Sequence, residues 1–477
     1  MKINMRNNRE VLTMITGAFM VPHPPLIIPE IGRGEERRLQ NTIDAYHEAG
    51  CRIAGLKPET IVLISPHQIM YADYFHIPPG KSAEGDFGQF GAGKVKIEAA
   101  YDIEFAGTLA KLAEAGNLPA GTLGERDKRL DHGAMVPLYF VNQYWKDYKL
   151  VRVGLSGLSL TDHYVLGQRI RETAEMLDRN TVVIASGDLS HRLKEDGPYG
   201  YREEGPAYDS RIMEVMGQGY FGKLFEFPED FCEKAGECGH RSFTIMAGVL
   251  DRMEVSSKCL SYEGPFGVGY GICIYEISGR NPARNFKDQY EEQEREKVRK
   301  RRDKEDAYVR MARKTIEEYV FTGSITGVLE DYSEKLPEEM TAKRAGVFVS
   351  IKKEGRLRGC IGTIQAVQVS IAEEIVKNAV SAATEDPRFP PIEPEELDKL
   401  TITVDVLGDT EKIDSADKLD VKRYGVVVTR GHRRGLLLPN LDGVDTVEEQ
   451  IAIAKRKAGI GMDETAGLER FEVIRHY

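Results

Sequence analysis

The hydrophobic pattern is sharpest in short runs with little polar alternation. Ile15–Met20, Thr60–Ser65 (TIVLIS), Tyr148–Leu155 (YKLVRVGL) and residues 181–186 (TVVIAS) read as strands covered on both faces. Between them, apolar positions return with helical spacing. Leu39, Ile43, Ala45 and Ala49 mark a helix over Glu35–Ala54, and further helices are predicted at Ala106–Ala115, Ala134–Trp145 and Asp162–Leu177. Glu204–Met216 and Tyr220–Phe225 read as short helical pieces, and Ser242–Met253 as an apolar helix. Glu254–Tyr262 and Gly267–Ile277 read as closing strands, while the Gly-rich stretch 77–104 predicts strands and loops at a rim. Alternating buried strands and helices predict an α/β N-terminal domain with a mixed sheet and flanking helices.

The pattern breaks over Asn281–Asp306, where Arg and Lys alternate with Glu and Asp and apolar residues almost vanish. That stretch reads as a solvated helix or linker. Beyond it come an amphipathic helix at Met311–Phe321 and a hairpin from Ala345–Lys352 and residues 355–362. A helix at Ser370–Thr384 stops at Asp386-Pro387, strands follow at Leu400–Leu407, Gly425–Arg430 and Arg434–Pro439, and a helix at Val447–Ala458. The expected organisation is an N-terminal domain at 14–278, a charged linker at 279–304 and a smaller α+β domain at 305–477.

Composition agrees with this division. A chain of 477 residues is too long for one typical domain, and 41% hydrophobic with 30% charged residues is an ordinary globular balance. A net charge of −11 argues against a general nucleic-acid binder. No apolar run approaches the ~20 residues of a membrane span. The polar stretch Met1–Thr13 lacks the apolar segment of a signal peptide, and its first dozen residues are expected to be disordered. The six cysteines (51, 232, 238, 259, 273 and 360) show no CxxC spacing, which fits reduced thiols and a cytoplasmic location.

Two of the buried strands end alike. Ile15–Met20 runs into Val21-Pro22-His23-Pro24-Pro25, and Thr60–Ser65 into Pro66-His67. Each proline stops its strand and fixes the backbone that carries a histidine. With the cluster Gly236-Glu237-Cys238-Gly239-His240, these histidines make a candidate metal site. Two His and a carboxylate on α/β loops is the facial arrangement of non-haem Fe(II). Either Glu237 or Cys238 offers a third ligand; the plain alternative is ordinary loop histidines. Residues Val182–His191 end in Ser186-Gly187-Asp188-Leu189-Ser190-His191, a strand with a polar tip. His191 beside Asp188 suits a general acid or base, or simply a polar cluster capping the strand. A Ser/His/Asp hydrolase ranks low because no GxSxG elbow is present. Asp131-His132-Gly133 precedes an apolar helix; Asp131 is a good N-cap and His132 a candidate for the same pocket. In the C-terminal domain, Leu357-Arg358-Gly359-Cys360-Ile361-Gly362-Thr363 suggests a thiol at a pocket, with Arg358 placed to lower its pKa, or a bulged strand that packs a small Cys. Arg388 in Asp386-Pro387-Arg388-Phe389 and the run Arg430–Gly435 would add a basic rim.

Pro22-His23-Pro24, Ser65-Pro66-His67, Asp131-His132-Gly133, Ser186–His191 and Glu237–His240 together resemble the LigB-type class III extradiol ring-cleavage dioxygenases and the related Memo proteins. That resemblance covers about residues 14–278 and implies Fe(II), with copper or zinc as alternatives, held by His23, His67 and an acid near Glu237. It makes His191 an acid/base beside the metal, His132 a substrate- or oxygen-contacting residue, and an aromatic or phenolic compound the substrate. In Memo-like proteins the third position is a Cys, which Cys238 resembles. Residues 305–477 are similar to the AMMECR family through Leu357–Thr363, Asp386-Pro387-Arg388-Phe389 and the Arg434 strand. The two units in one chain look like the prokaryotic AmmeMemoRadiSam system, which implies a radical SAM protein as partner.

Overall fold

The computed structural model describes residues 13–126, 128–327, 336–441 and 443–477; the expected disorder of the first dozen residues lies outside this range. The chain forms two compact units that divide between Tyr290 and Glu291. The division falls inside the predicted charged linker, most of which is a helix, Phe286–Arg302.

The first unit is built on a six-stranded sheet in the order β7-β2-β8-β1-β10-β9. Its strands are β1 (Ile15–Val21), β2 (Thr60–Ser65), β7 (Lys149–Gly154), β8 (Thr181–Ser186), β9 (Met253–Glu263) and β10 (Tyr270–Arg280). β7, β2, β8 and β1 are parallel, and β10 and β9 close one side antiparallel. The helices are α1 (Pro29–Gly32), α2 (Gln40–Leu56), α3 (Ile103–Ala115), α4 (His132–Val141), α5 (Leu160–Met176), α6 (Glu204–Gln218), α7 (Glu229–Ala235) and α8 (His240–Val249).

Strand periodicity explains the layering. In β8, Val183 and Ala185 join a core with Phe105 of α3, Ile170 of α5, Ile212 of α6 and Phe243 of α8. Val182 and Ile184 face the other way, into a core with Tyr46 and Ile53 of α2 and Leu138 of α4. Every side chain of β8 is buried, hence its unbroken apolar run. The predicted rim is the hairpin β4 (Ser82–Phe87) and β5 (Ala92–Ala100), with a two-residue parallel pair, β3 (Phe75–His76) and β6 (Ala120–Gly121), nearby in sequence.

Several helix boundaries differ from the sequence reading, and two of them have a clear local cause. α4 begins at His132 because the Asp131 carboxylate caps it, accepting the Ala134 amide at 3.0 Å. The predicted helix Ser242–Met253 ends at Val249, and Arg252 adopts a left-handed φ of 56° that turns the chain into β9.

Among its described residues, the second unit holds two four-stranded sheets. The first is ordered β12-β11-β13-β18, from β11 (Val347–Lys353), β12 (Arg356–Gly362), β13 (Leu400–Leu407) and β18 (Val473–His476). Its core takes Val309 and Ile316 from the helix Ala307–Thr322, and Ile375 and Ala379 from the helix Ile371–Thr384. The second sheet is ordered β14-β17-β15-β16, from β14 (Glu411–Ile413), β15 (Gly425–Arg430), β16 (Arg433–Leu437) and β17 (Gly467–Phe471), and packs on the helix Val447–Lys457. The unit is α+β, as its pattern predicts. β14, β17 and β18 go unpredicted because they are short and half-exposed, with charged residues set among the apolar ones.

Candidate metal centre

Because β8 lies between β2 and β1 and runs parallel to both, the segments that follow these three strands emerge side by side. The carboxyl edge of a parallel sheet is the usual place for a site in such folds. His23, two residues past β1, is 1% exposed. Its backbone amide donates to Asp188 Oδ1 at 2.7 Å, which ties the loop after β1 to the loop after β8. The Tyr46 hydroxyl of α2 donates to the Pro22 carbonyl and holds the same turn from the other face. His67, two residues past β2, brings its Nε2 to 2.9 Å from His23 Nε2.

The third member comes from the turn between α7 and α8. Gly236 has a φ of 66°, and a Cβ on Gly187 would collide with Gly239 Cα. Only glycine permits the two loops to meet so closely. Their contact sets Cys238 against Asp188: the Asp188 amide donates to Cys238 Sγ at 3.3 Å, and the Cys238 amide to the Asp188 carbonyl at 3.3 Å. Cys238 Sγ stands 3.7 Å from His23 Nε2. Glu237 faces elsewhere, its Oε2 accepting the His240 amide at 2.6 Å in the first turn of α8. Of the two adjacent candidates, the structure therefore brings Cys238 to the imidazoles and leaves Glu237 outside the cluster.

Ligand atoms of His23, His67 and Cys238 all lie within 4.8 Å of one another. An ion about 2.0–2.1 Å from nitrogen and about 2.3 Å from sulfur spans such a set. The hydrogen bonding prepares it. The Ser186 hydroxyl donates to the Gly133 carbonyl at 2.6 Å, so its oxygen accepts from His23 Nδ1 at 2.9 Å. That arrangement puts the His23 proton on Nδ1 and leaves Nε2 as a lone-pair donor. Burial, then repulsion from His67, His132 and His191, pushes the His23 pKa well below its usual value. Burial likewise lowers His67. Both are neutral at neutral pH, the form that binds a metal.

His132 opens α4 with its ring 4.1 Å from His67 and 5.4 Å from His23, centroid to centroid, and Phe90 packs against it at 5.6 Å. Burial holds its pKa down to about 4. The His191 ring packs at a tilt against Tyr199, 5.1 Å between centroids, and burial, then the unfavourable approach of a second imidazole at His67, holds its pKa down to about 4. Its Nε2 is buried with no hydrogen-bond partner among the described residues. Asp188 is driven by burial to about 7, against the opposing His23 hydrogen bond. Its loop is fixed further on, where the Ser190 amide donates to the buried Asp209 at 2.7 Å. His240 turns away from the centre and bonds the Leu224 carbonyl through Nε2 at 3.0 Å.

The sequence reading passed over Ser186 as a positioning residue, along with the supports Ser65, Phe90 and Tyr199. Ser65 donates to Asp131 at 2.5 Å, linking the His67 strand to the His132 cap. Ser186 and Ser65 shared a signal: each is a hydroxyl that ends a fully buried, largely apolar strand.

In the second unit, Arg358 forks onto Glu396 at 3.1 and 2.8 Å and also donates to the Pro390 and Pro391 carbonyls. It is committed to that loop and does not serve the Cys360 thiol as expected. Arg388 pairs with Asp386, whose carboxylate accepts the Cys360 amide at 2.9 Å. Cys360 itself lies on β12 opposite Ser350, whose hydroxyl donates to its sulfur at 3.2 Å. Arg430, Arg433 and Arg434 are paired with Glu464 and Glu469 and form no free basic rim.

Residues 17–273 match the family model of the catalytic LigB subunit of aromatic ring-opening dioxygenase, and residues 309–476 match AMMECR1. A Clostridium acetobutylicum protein is 41% identical over 97% of this chain and 99% of its own length. A Thermotoga maritima protein is 48% identical over 36% of this chain and 98% of its own. An uncharacterized Pyrococcus horikoshii protein of known crystal structure is 34% identical over 35% of this chain and 88% of its own, with a TM-score of 0.32. Among the described residues, no helix is long and apolar enough to cross a membrane.

Proposed function

Since the chain belongs to the family of the catalytic LigB subunit of aromatic ring-opening dioxygenases, joined to an AMMECR1 unit, we propose that its first unit is a metal-dependent oxidoreductase acting on an aromatic or phenolic compound. The observation that carries this reading is the cluster of His23, His67 and Cys238 at the carboxyl edge of the sheet, with His191 beside it. A bound ion, iron(II) on this reading, supplies a Lewis-acidic and redox-active centre. The protein's residues do the rest. Ser186 fixes the tautomer of His23, and Asp188 holds both the His23 backbone and the Cys238 loop. His191 is neutral, packs against Tyr199 and has an Nε2 without a hydrogen-bond partner among the described residues, which suits it to take the proton of a phenolic hydroxyl. His132, backed by Phe90, lies where it can touch the substrate.

Oxygen uptake by anaerobically purified, iron-loaded protein with a panel of dihydroxybenzenes tests the reading. Turnover that falls at least about 100-fold in His191→Gln, within the range a positioned acid or base contributes, supports it. Absence of bound metal in the wild-type protein after iron loading overturns it.

Cys238 favours a second reading. A thiolate ligand suits copper(I) or zinc better than oxygen-activating iron. On this reading the first unit is a metal-binding protein that acts through a partner, and the AMMECR1 unit docks a radical SAM protein or its substrate. Stoichiometric copper or zinc, with no turnover of any dihydroxybenzene, would favour it.

A further inference from the structure

β9 and β10 place two cysteines directly opposite each other. Cys259 and Cys273 are cross-strand partners in an antiparallel ladder, next to a register shift between Ile272 and Cys273. Opposed residues in such a ladder have Cα atoms about 4.5–5.5 Å apart, within the range a disulfide spans. The two thiols differ in access: Cys259 is exposed at the edge of the sheet beside Gly217, while Cys273 is fully buried in the core between β1 and β9. We propose that Cys259 and Cys273 form a redox-active dithiol, with Cys259 as the attacking thiol and Cys273 as the resolving one, and that its oxidant is a small or protein-borne disulfide.

The side-chain chemistry is consistent with those roles. The hydrogen bond from the Cys273 thiol, working against burial, lowers Cys259 to about 7, whereas Cys273 is held well above its ordinary value by that bond and by burial. A thiol near neutrality is a competent nucleophile in exchange. The Cys259 thiolate attacks one sulfur of the oxidant, forms a mixed disulfide and releases one thiolate. The Cys273 sulfur then attacks Cys259 sulfur, loses its proton and expels the second half of the oxidant as a thiol. One dithiol and one disulfide become one protein disulfide and two thiols. The new bond ties the edge strand β9 to β10, which pairs through Cys273 with Met20 of β1, the strand that leads into the His23 loop.

The test equilibrates the full reduced chain with glutathione disulfide, blocks remaining thiols with an alkylating agent and maps peptides without reduction. The expected result is a 259–273 linkage reversed by dithiothreitol, with the exposed Cys51 only glutathionylated. Cys273→Ala is expected to trap glutathione on Cys259, and Cys259→Ser, at an exposed position, to abolish the linkage without loss of fold. Free Cys259 and Cys273 under conditions that modify Cys51, or a wild-type mixed disulfide on Cys259 that never resolves, would overturn the proposal.

Discussion

The Ser186 hydroxyl donates to the Gly133 carbonyl and, through the same oxygen, receives His23 Nδ1. The carbonyl is available for a local reason. Pro137 stands four residues after Gly133 inside α4 and has no N–H to give it, so the helix leaves that acceptor to a side chain. A proline in one element thereby sets the tautomer of a candidate ligand carried by another.

Ser186→Ala removes the tautomer lock but little volume. Metal affinity is expected to fall about 10–100-fold, the range seen when the partner of a ligating histidine is lost. Competition with a metallochromic indicator measures this, with circular dichroism to confirm the fold. Unchanged affinity would mean that the His23 proton is placed by something else.

Gly187→Ala inserts a Cβ where Gly239 Cα stands. The loops must separate, and Cys238 moves with them. The expected outcome is a loss of about 1–3 kcal/mol in stability together with weaker metal binding, read by thermal unfolding with and without metal. A variant equal to wild type in both would show that the loops tolerate a wider gap.

Acid stability of the second unit is expected to depend on Asp386 and Glu396. The hydrogen bond from Arg388 holds Asp386 at about 2. Burial raises Glu396, but Arg358 and Lys353 outweigh it and hold it at about 2. Both folded pKa values lie below the unfolded ones, so the stabilisation is complete above about pH 4.5 and disappears as pH falls toward about 2. Glu396→Gln should melt below wild type near pH 6 and converge with it near pH 2. A gap that persists at low pH would contradict the assignment.

The sheet and the two histidine positions were legible because strand, proline and histidine follow one another in sequence, and a parallel sheet converts that order into proximity. The choice between Glu237 and Cys238 was not legible. It depends on the turn at Gly236 and the Gly187–Gly239 contact, which orient adjacent side chains oppositely. Arg358 was misread for a similar reason: its partner, Glu396, lies 38 residues away in sequence. The helix predicted to Met253 ran too long because an apolar run shows no boundary where Arg252 turns left-handed.

The central claim is that His23, His67 and Cys238 hold a metal while Glu237 caps α8. Measuring metal bound per chain in Cys238→Ser and Glu237→Gln, purified anaerobically side by side and loaded equally, tests it most directly. The account predicts that Cys238→Ser loses the metal and that Glu237→Gln, whose amide oxygen can still accept the His240 amide, keeps it. Retention by Cys238→Ser with loss in Glu237→Gln would contradict the account.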